Sequence, residues 1–446
     1  MPDPRLIAAC LAAALLTACA GKQGGSAAHD QRPIQRGSVI FLHPDGTSAA
    51  NFAIGRALFV GPDNDLNWDT MPAMAVYRGH MKDSLTATSN GGATTHAFGL
   101  KVKSGAYGMS AAGDLAQPLV DEQGRSLSVA KQAVRRGIPV GLVQTGTNTE
   151  PGTGCFVTAV RKRAYHDKIA DQLIHAGVKV ILGGGERYFL PEGAEGVHGP
   201  GVREDGRNLV EEARALGYAV VYNAEQLDAL PDDTDMVLGL FASNHTFNDL
   251  PEETLKERGL PQYFPDAPTV ARMTDKALAI LTHHDERFFL VVEEEGTDNF
   301  GNKNNASGML EAMRRADEAI GLCQRFIKKH PRTLLLTAAD SDAGGARLVG
   351  FPVGPGRDVP EALPAVDRNG APVDGVDGTG SAPFIAKPDR FGQRLPFAVV
   401  WATHDDASGG VLVRAQGLNH QRVRGNMDNT ELTDLMRLTL FGTTRP

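Results

Sequence analysis

Cysteines, basic blocks and membrane-length apolar runs are scarce in this chain, and each scarcity excludes a class of protein. Of 446 residues only four are cysteine. Two of them, Cys10 and Cys19, lie at the extreme N-terminus, and the spacing of the remaining pair, Cys155 and Cys323, fits no zinc-ligand cluster. Cys323 extends the helical stripe Met309, Met313, Ala316, Ile320 and Ile327, so it reads as a buried apolar residue, as does Cys155. No block of lysine and arginine occurs and the net charge is -8. A nucleic-acid backbone is therefore excluded as a partner, because counterion release needs a basic surface. The apolar run over residues 6–16 is too short to span a bilayer, which takes about 20 residues.

That short run follows Arg5 and ends in Leu16-Thr17-Ala18-Cys19, the layout of a secretory signal over residues 1–19. The LTAC ending resembles a bacterial lipobox. It implies cleavage before Cys19, a lipid on its sulfur, and a place in the cell envelope, periplasm or outer surface, with that lipid as the membrane attachment. An ordinary signal peptide with a chance cysteine is the alternative. Residues 20–36, AGKQGGSAAHDQRPIQR, read as a flexible tether.

What the chain has in abundance is glycine, 51 residues, and enough apolar content, 41%, for a large core. From Gly37 onward, β-like runs (VIFL, IPVGLV, VKVIL, YAVVY, MVLGLF, FFLVV, LLLTA, FAVVWAT) alternate with helix-like stretches. This alternation predicts an α/β fold with a largely parallel central sheet covered by helices on both faces, formed by residues 37–446 as one catalytic domain. Two Gly/Pro-rich stretches break the pattern, 183–206 and 350–395, and the second is predicted to be an insertion over the site or a surface crown.

Four acidic motifs each stand directly behind an apolar run: HPDG (Asp45), EEEGTD (Glu293, Asp298), AADSD (Asp340) and HDD (Asp406). In an open α/β sheet the crevice beyond the carboxyl ends of the strands collects such residues into one site, and converging carboxylates suit metal ions. Ser89 precedes the Gly-rich segment Asn90-Gly91-Gly92. At a helix N-terminus a serine could attack a phosphate held by backbone N–H groups, or could simply be an N-cap.

These motifs, with GLKVKSGAYG, VILGGGERYF, EEEGTDNFGNKNN, AADSDAGG and DASGGVLVRAQG, resemble the alkaline phosphatase family in order and spacing from about position 39 to 442. The resemblance implies hydrolysis of small phosphomonoesters, and an association into homodimers. Asp45 would bridge two metals, and Ser89 would be a metal-bound nucleophile that forms a phosphoserine. Arg163 would clamp phosphate, although it also fits a surface arginine in the cluster Arg161-Lys162-Arg163. Glu293 would belong to a third site with Glu150 and Thr153 nearby, Asp298 to the first catalytic metal and Asp340 to the second.

The chain departs from the family where the metal sites use three histidines: those positions read Asn302, Ser341 and Asp406. The residue before the nucleophile is Thr88 in place of aspartate, and the one after Asp298 is Asn299 in place of histidine. An oxygen-only set of Asp45, Ser89, Asp298, Asn302, Asp340, Ser341 and Asp406 shifts the expected ions from the family's zinc toward magnesium, calcium or manganese. Two other functions remain open on sequence. One is a binding protein that keeps the fold with weak or no catalysis; the other is a related hydrolase of phosphodiesters or sulfate esters.

Overall fold

The computed structural model describes residues 34–445 apart from Glu286 and Arg357. The signal segment, Cys19 and most of the tether therefore lie outside the described residues.

The strands in chain order are β1 (Ser38–Pro44), β2 (Ala73–Arg78), β3 (Val140–Thr147), β4 (Val180–Gly184), β5 (Tyr218–Val221), β6 (Met236–Leu240), β7 (Phe289–Glu294) and β8 (Thr333–Thr337), followed by β9 (Asp342–Ala343), β10 (Arg347–Gly350), β11 (Val373–Gly375), β12 (Gly378–Thr379), β13 (Phe384–Ile385), β14 (Pro396–Val400), β15 (Asp406–Ala407), β16 (Leu412–Gly417) and β17 (Arg424–Asp428). Ten of them form one sheet in the order β17-β2-β16-β8-β1-β7-β3-β4-β6-β5. From β8 to β5 every pairing is parallel. β16 runs antiparallel to both of its neighbours. The α/β reading with a mostly parallel central sheet holds.

Strand β1 shows why the sheet is sandwiched. Its side chains alternate between faces, and both sets are apolar: Val39 and Phe41 enter one core cluster, Ile40 and Leu42 the other. The helices used below are α1 (Ala49–Phe59), α2 (Ser89–Phe98), α3 (Pro151–Gly154), α4 (Glu252–Arg258), α5 (Val270–His284), α6 (Gly296–Asn302), α7 (Ala306–Lys329) and α8 (Asn429–Phe441). The first core takes Ala93, Ala97 and Phe98 of α2 with Leu432, Leu435 and Met436 of α8. The second takes Met273, Leu278 and Leu281 of α5 with Met313, Ile320 and Cys323 of α7. Cys323 and Cys155 are fully buried free thiols, as their apolar settings predicted.

The 350–395 stretch is more regular than its composition suggests. β11, β12 and β13 join β10 and β14 in a separate antiparallel sheet of order β10-β14-β11-β12, with β13 also on β14. It docks on α1, α4 and α7 through Lys387 N–H to Ala57 O at 3.0 Å, Thr379 N–H to Glu253 Oε1 at 2.8 Å and Ser307 Oγ to Val376 O at 2.7 Å.

Candidate metal and phosphate site

The parallel strands deliver their acidic sequels to one end of the sheet. In the register of β1, β7 and β3, His43 stands beside Glu293 and Glu293 beside Gln144. β8 is the neighbour of β1 on the other side, so the turn after it brings Asp340 and Ser341 alongside Asp45. Asp406 arrives through the two-residue ribbon β15–β9, where it pairs with Ala343. Asp45, Glu293, Asp340 and Ser341 are buried, Asp298 is 7% exposed and Asp406 half-buried.

Three glycines make room for these carboxylates. A Cβ on Gly46 would lie 2.7 Å from Asp298 Oδ1, one on Gly92 2.4 Å from Asp340 Oδ2, and one on Gly152 would overlap the Glu293 carboxylate. Gly46 also has φ +63°, a backbone state that only glycine adopts without strain.

The carboxylates are poorly satisfied. Asp45 Oδ2, both oxygens of Glu293 and of Asp340, Glu295 Oε2 and Ser341 Oγ have no hydrogen-bond partner among the described residues. Burial, and then mutual repulsion, raises the protonation range of Glu295, Asp298 and Asp340 well above that of an ordinary carboxylate. Burial pushes Glu293 up to about 8. Orphaned acidic oxygens packed together are what divalent cations neutralise, so the donor set fits metal ions.

Two residues that the acidic pattern did not single out join this cluster. His43, Asp45 and Asp340 bring ligand atoms within 4.8 Å of one another, and so do Asp45, Glu295 and Asp298. An imidazole thus faces the Asp45–Asp340 pair, beside the oxygen donors expected from the sequence. Burial opposes charge on His43, but Asp45 reverses this and raises it; His43 in turn lowers Asp45 despite that group's burial.

Asn302 presents its amide nitrogen to the carboxylates. Its Oδ1 accepts the Gly344 N–H at 3.1 Å, which turns Nδ2 toward Asp298 Oδ1 and Oδ2 and Asp406 Oδ1, each at 3.2 Å. An amide nitrogen cannot ligate a cation, so Asn302 ties the two carboxylates together as a donor. Thr153 Oγ1 accepts from Gln144 Nε2 at 2.6 Å on α3, beside Glu293. His404 is exposed, with Nε2 3.4 Å from Asn304 Nδ2.

Ser89 opens α2 as its first helical residue; the N-cap is Thr88, whose Oγ1 accepts from Gly91 N–H at 3.3 Å and donates to Ser104 O at 2.5 Å. Ser89, 8% exposed, faces a cavity of about 460 Å³ whose lining includes Arg163, Glu150, Asp298, Asn302 and Asp406. Arg163 is held there by an ion pair with Glu150, while Arg161 and Lys162 are exposed. The 350–395 stretch contributes no lining residue. A larger cavity of about 620 Å³, walled by Phe241, Phe247 and Arg187, shares His245 and Asp249 with the first. A third cavity, of about 240 Å³, reaches Asp340 and Ser341.

The family model described as alkaline phosphatase matches residues 37–441. The membrane-bound alkaline phosphatase of Bombyx mori is 26% identical over 90% of this chain and 79% of its own length. Streptomycin-6-phosphate phosphatase of Streptomyces griseus is 28% identical over 95% of both chains. The alkaline phosphatase of the Antarctic bacterium TAB5 superposes with a TM-score of 0.67 at 18% identity, covering 91% of this chain and 98% of that one, a likeness of fold. A variant of the TAB5 enzyme with a histidine replaced by aspartate was solved with Mg bound in its M3 site.

Proposed function

The chain belongs to the alkaline phosphatase family, a family of phosphatases, and on that premise we propose that it hydrolyses small phosphomonoesters through a phosphoserine on Ser89, with divalent cations held by the strand-end carboxylates. The observation that carries this reading is one cavity lined by a helix-opening serine, an arginine and the edge of a buried, unsatisfied carboxylate cluster.

Arg163 offers its guanidinium fork to two phosphate oxygens, kept in place by Glu150. The free N–H groups at the start of α2 and the helix dipole favour the same anion. Ser89 Oγ attacks phosphorus as its proton passes to water, the bond to the alcohol oxygen breaks, and the alcohol leaves as its oxygen takes a proton back from water. Water then attacks the phosphoserine, the P–Oγ bond breaks, and inorganic phosphate is released with Ser89 restored. Bound cations would neutralise the attacking and leaving oxygens and make the serine hydroxyl easier to ionise. Asp298 and Asp406, tied by Asn302, would form one position, Asp45, Asp340 and Ser341 the second, and Glu293 with Asp45, Glu295 and Thr153 the third. The replacement of histidine by aspartate in the TAB5 variant that holds Mg supports oxygen-rich sites for magnesium, calcium or manganese here. The organic part of the ester has room in the adjoining 620 Å³ cavity.

The signal pattern ending at Cys19 supports a lipid-anchored enzyme of the cell envelope, and among the described residues no helix is long and apolar enough to cross a membrane. Chelated protein is expected to recover turnover of p-nitrophenyl phosphate with one of these divalent ions and to lose it entirely as Ser89→Ala. Absence of turnover with every divalent ion would defeat the proposal.

A further inference from the structure

We propose that His43 is a ligand of the second metal position, supplying through Nε2 the nitrogen that Ser341 cannot provide. The inference rests on the metal-site reading above and concerns which side chain completes it. β1 and β8 are adjacent and in register from Ser38–Thr333 to Leu42–Thr337. A nitrogen missing from the turn after β8 can therefore be returned from the end of its neighbour strand without moving the site.

The ring is oriented for this role. Nδ1 stands 2.7 Å from Ala338 O, and since a carbonyl only accepts, the hydrogen of the neutral ring belongs on Nδ1. Nε2 then faces Asp45 Oδ1, 2.9 Å away in a fully buried place. Atoms held that close share a proton in the metal-free chain, and a metal ion can take that proton's place. Ligands bonded at about 2.0–2.1 Å to one tetrahedral ion stand about 3.3 Å apart, so opening this contact by about 0.4 Å admits a metal in place of the shared proton. A backbone carbonyl behind the distal N–H is the usual support of a metal-bound histidine, because it fixes tautomer and ring angle. Here the ring is also walled by Phe41 and His96, with centroids 5.8 and 5.5 Å away.

The remaining donors are free to complete the position. Asp45 Oδ2, both Asp340 oxygens and Ser341 Oγ have no partner among the described residues. The 240 Å³ cavity gives access to Asp340 and Ser341. An imidazole beside two carboxylates selects a borderline ion such as zinc or cobalt over calcium, whereas the Asp298–Asp406 position stays all-oxygen.

The test uses the full chain, stripped by chelator and reloaded with zinc. X-ray absorption at the zinc edge should show the outer-shell scattering of one imidazole. His43→Gln should abolish it and weaken zinc binding at that position by at least about 100-fold, more than loss of a supporting partner costs. His96→Gln and His404→Gln should leave the signature intact. Imidazole scattering absent from the wild-type zinc form, or persisting in His43→Gln, overturns the proposal and identifies the His43–Asp45 contact as a proton bridge. The wild-type spectrum decides the matter even if the variant does not fold. No zinc uptake at all, with magnesium and manganese also refused, would overturn the underlying metal-site reading as well.

Discussion

An alanine at Gly92 would place its Cβ 2.4 Å from both Cβ and Oδ2 of Asp340. In an ordinary helix interior the same change stabilises by about 1 kcal/mol, because glycine gives up more backbone freedom. Gly55 in α1 is that ordinary case, since its added Cβ would meet only Phe59 and Leu66 at 3.7–3.9 Å. Gly55→Ala is therefore expected to raise the melting temperature slightly with activity unchanged. Gly92→Ala should lower it and reduce kcat/KM by about 100-fold or more, through displacement of Asp340. A Gly92→Ala enzyme as stable and active as the parent would remove Asp340 from the site. The strand-end acids Asp45, Glu293, Asp298, Asp340 and Asp406 were legible in sequence because each follows a buried apolar run. His43 was equally accessible, since it lies two residues before Asp45 at the end of the same strand, whereas Glu295 stands beyond β7 where the chain turns into α6, so strand alternation does not place it. The turn of the Asn302 amide was not legible, because it is decided by the Gly344 N–H, 42 residues away.

Between elements, the clearest dependence on pH lies where α4 meets β11. Glu252 Oε1 accepts the Ala306 N–H at 3.0 Å, while its Oε2 is buried without a partner. Asp374 is held by Trp401 Nε1 at 2.6 Å and Thr379 Oγ1 at 2.8 Å. Burial, and then the charge of Asp374, raises Glu252 to about 8, and burial raises Asp374 to about 6. A carboxyl whose folded value is raised binds its proton more tightly in the native state. Its contribution is thus intact below about pH 4.5, declines as pH rises, and is fully lost above about 8 for Glu252. Glu252→Gln should match the parent near pH 5 and melt higher than it near pH 9, as thermal scans across that range would show. Parallel curves for the two proteins would reject the assignment. The segment carrying Asp374 read from sequence as irregular, because β11, β12 and β13 have only two or three residues each. No period of two can be seen in so short a run.

For the molecule as a whole, the alternation of β-like and helix-like runs was enough to predict a covered, mostly parallel sheet. The strand order was not legible, since it is set by crossovers that bring β1, first in the chain, between β8 and β7. That order puts the most acidic strand ends side by side. The fold consequently concentrates negative charge at one end of its own sheet, and the metal-free chain can relieve it only with protons. Glu293, Glu295, Asp298 and Asp340 all have raised folded values, so stripped protein should lose stability as pH climbs from about 4.5 through about 8, the value reached by Glu293. Divalent ions do the same neutralising without protons. At a free concentration a thousand times Kd, one bound ion adds about 4 kcal/mol. The melting temperatures of stripped and loaded protein should therefore converge near pH 5, where protons compete for the ligands, and separate progressively toward pH 8. The Glu252–Asp374 pair acts on both forms alike and cancels in the difference. A gap that is constant with pH, or that narrows toward pH 8, would mean that the strand-end carboxylates are not where the cations bind.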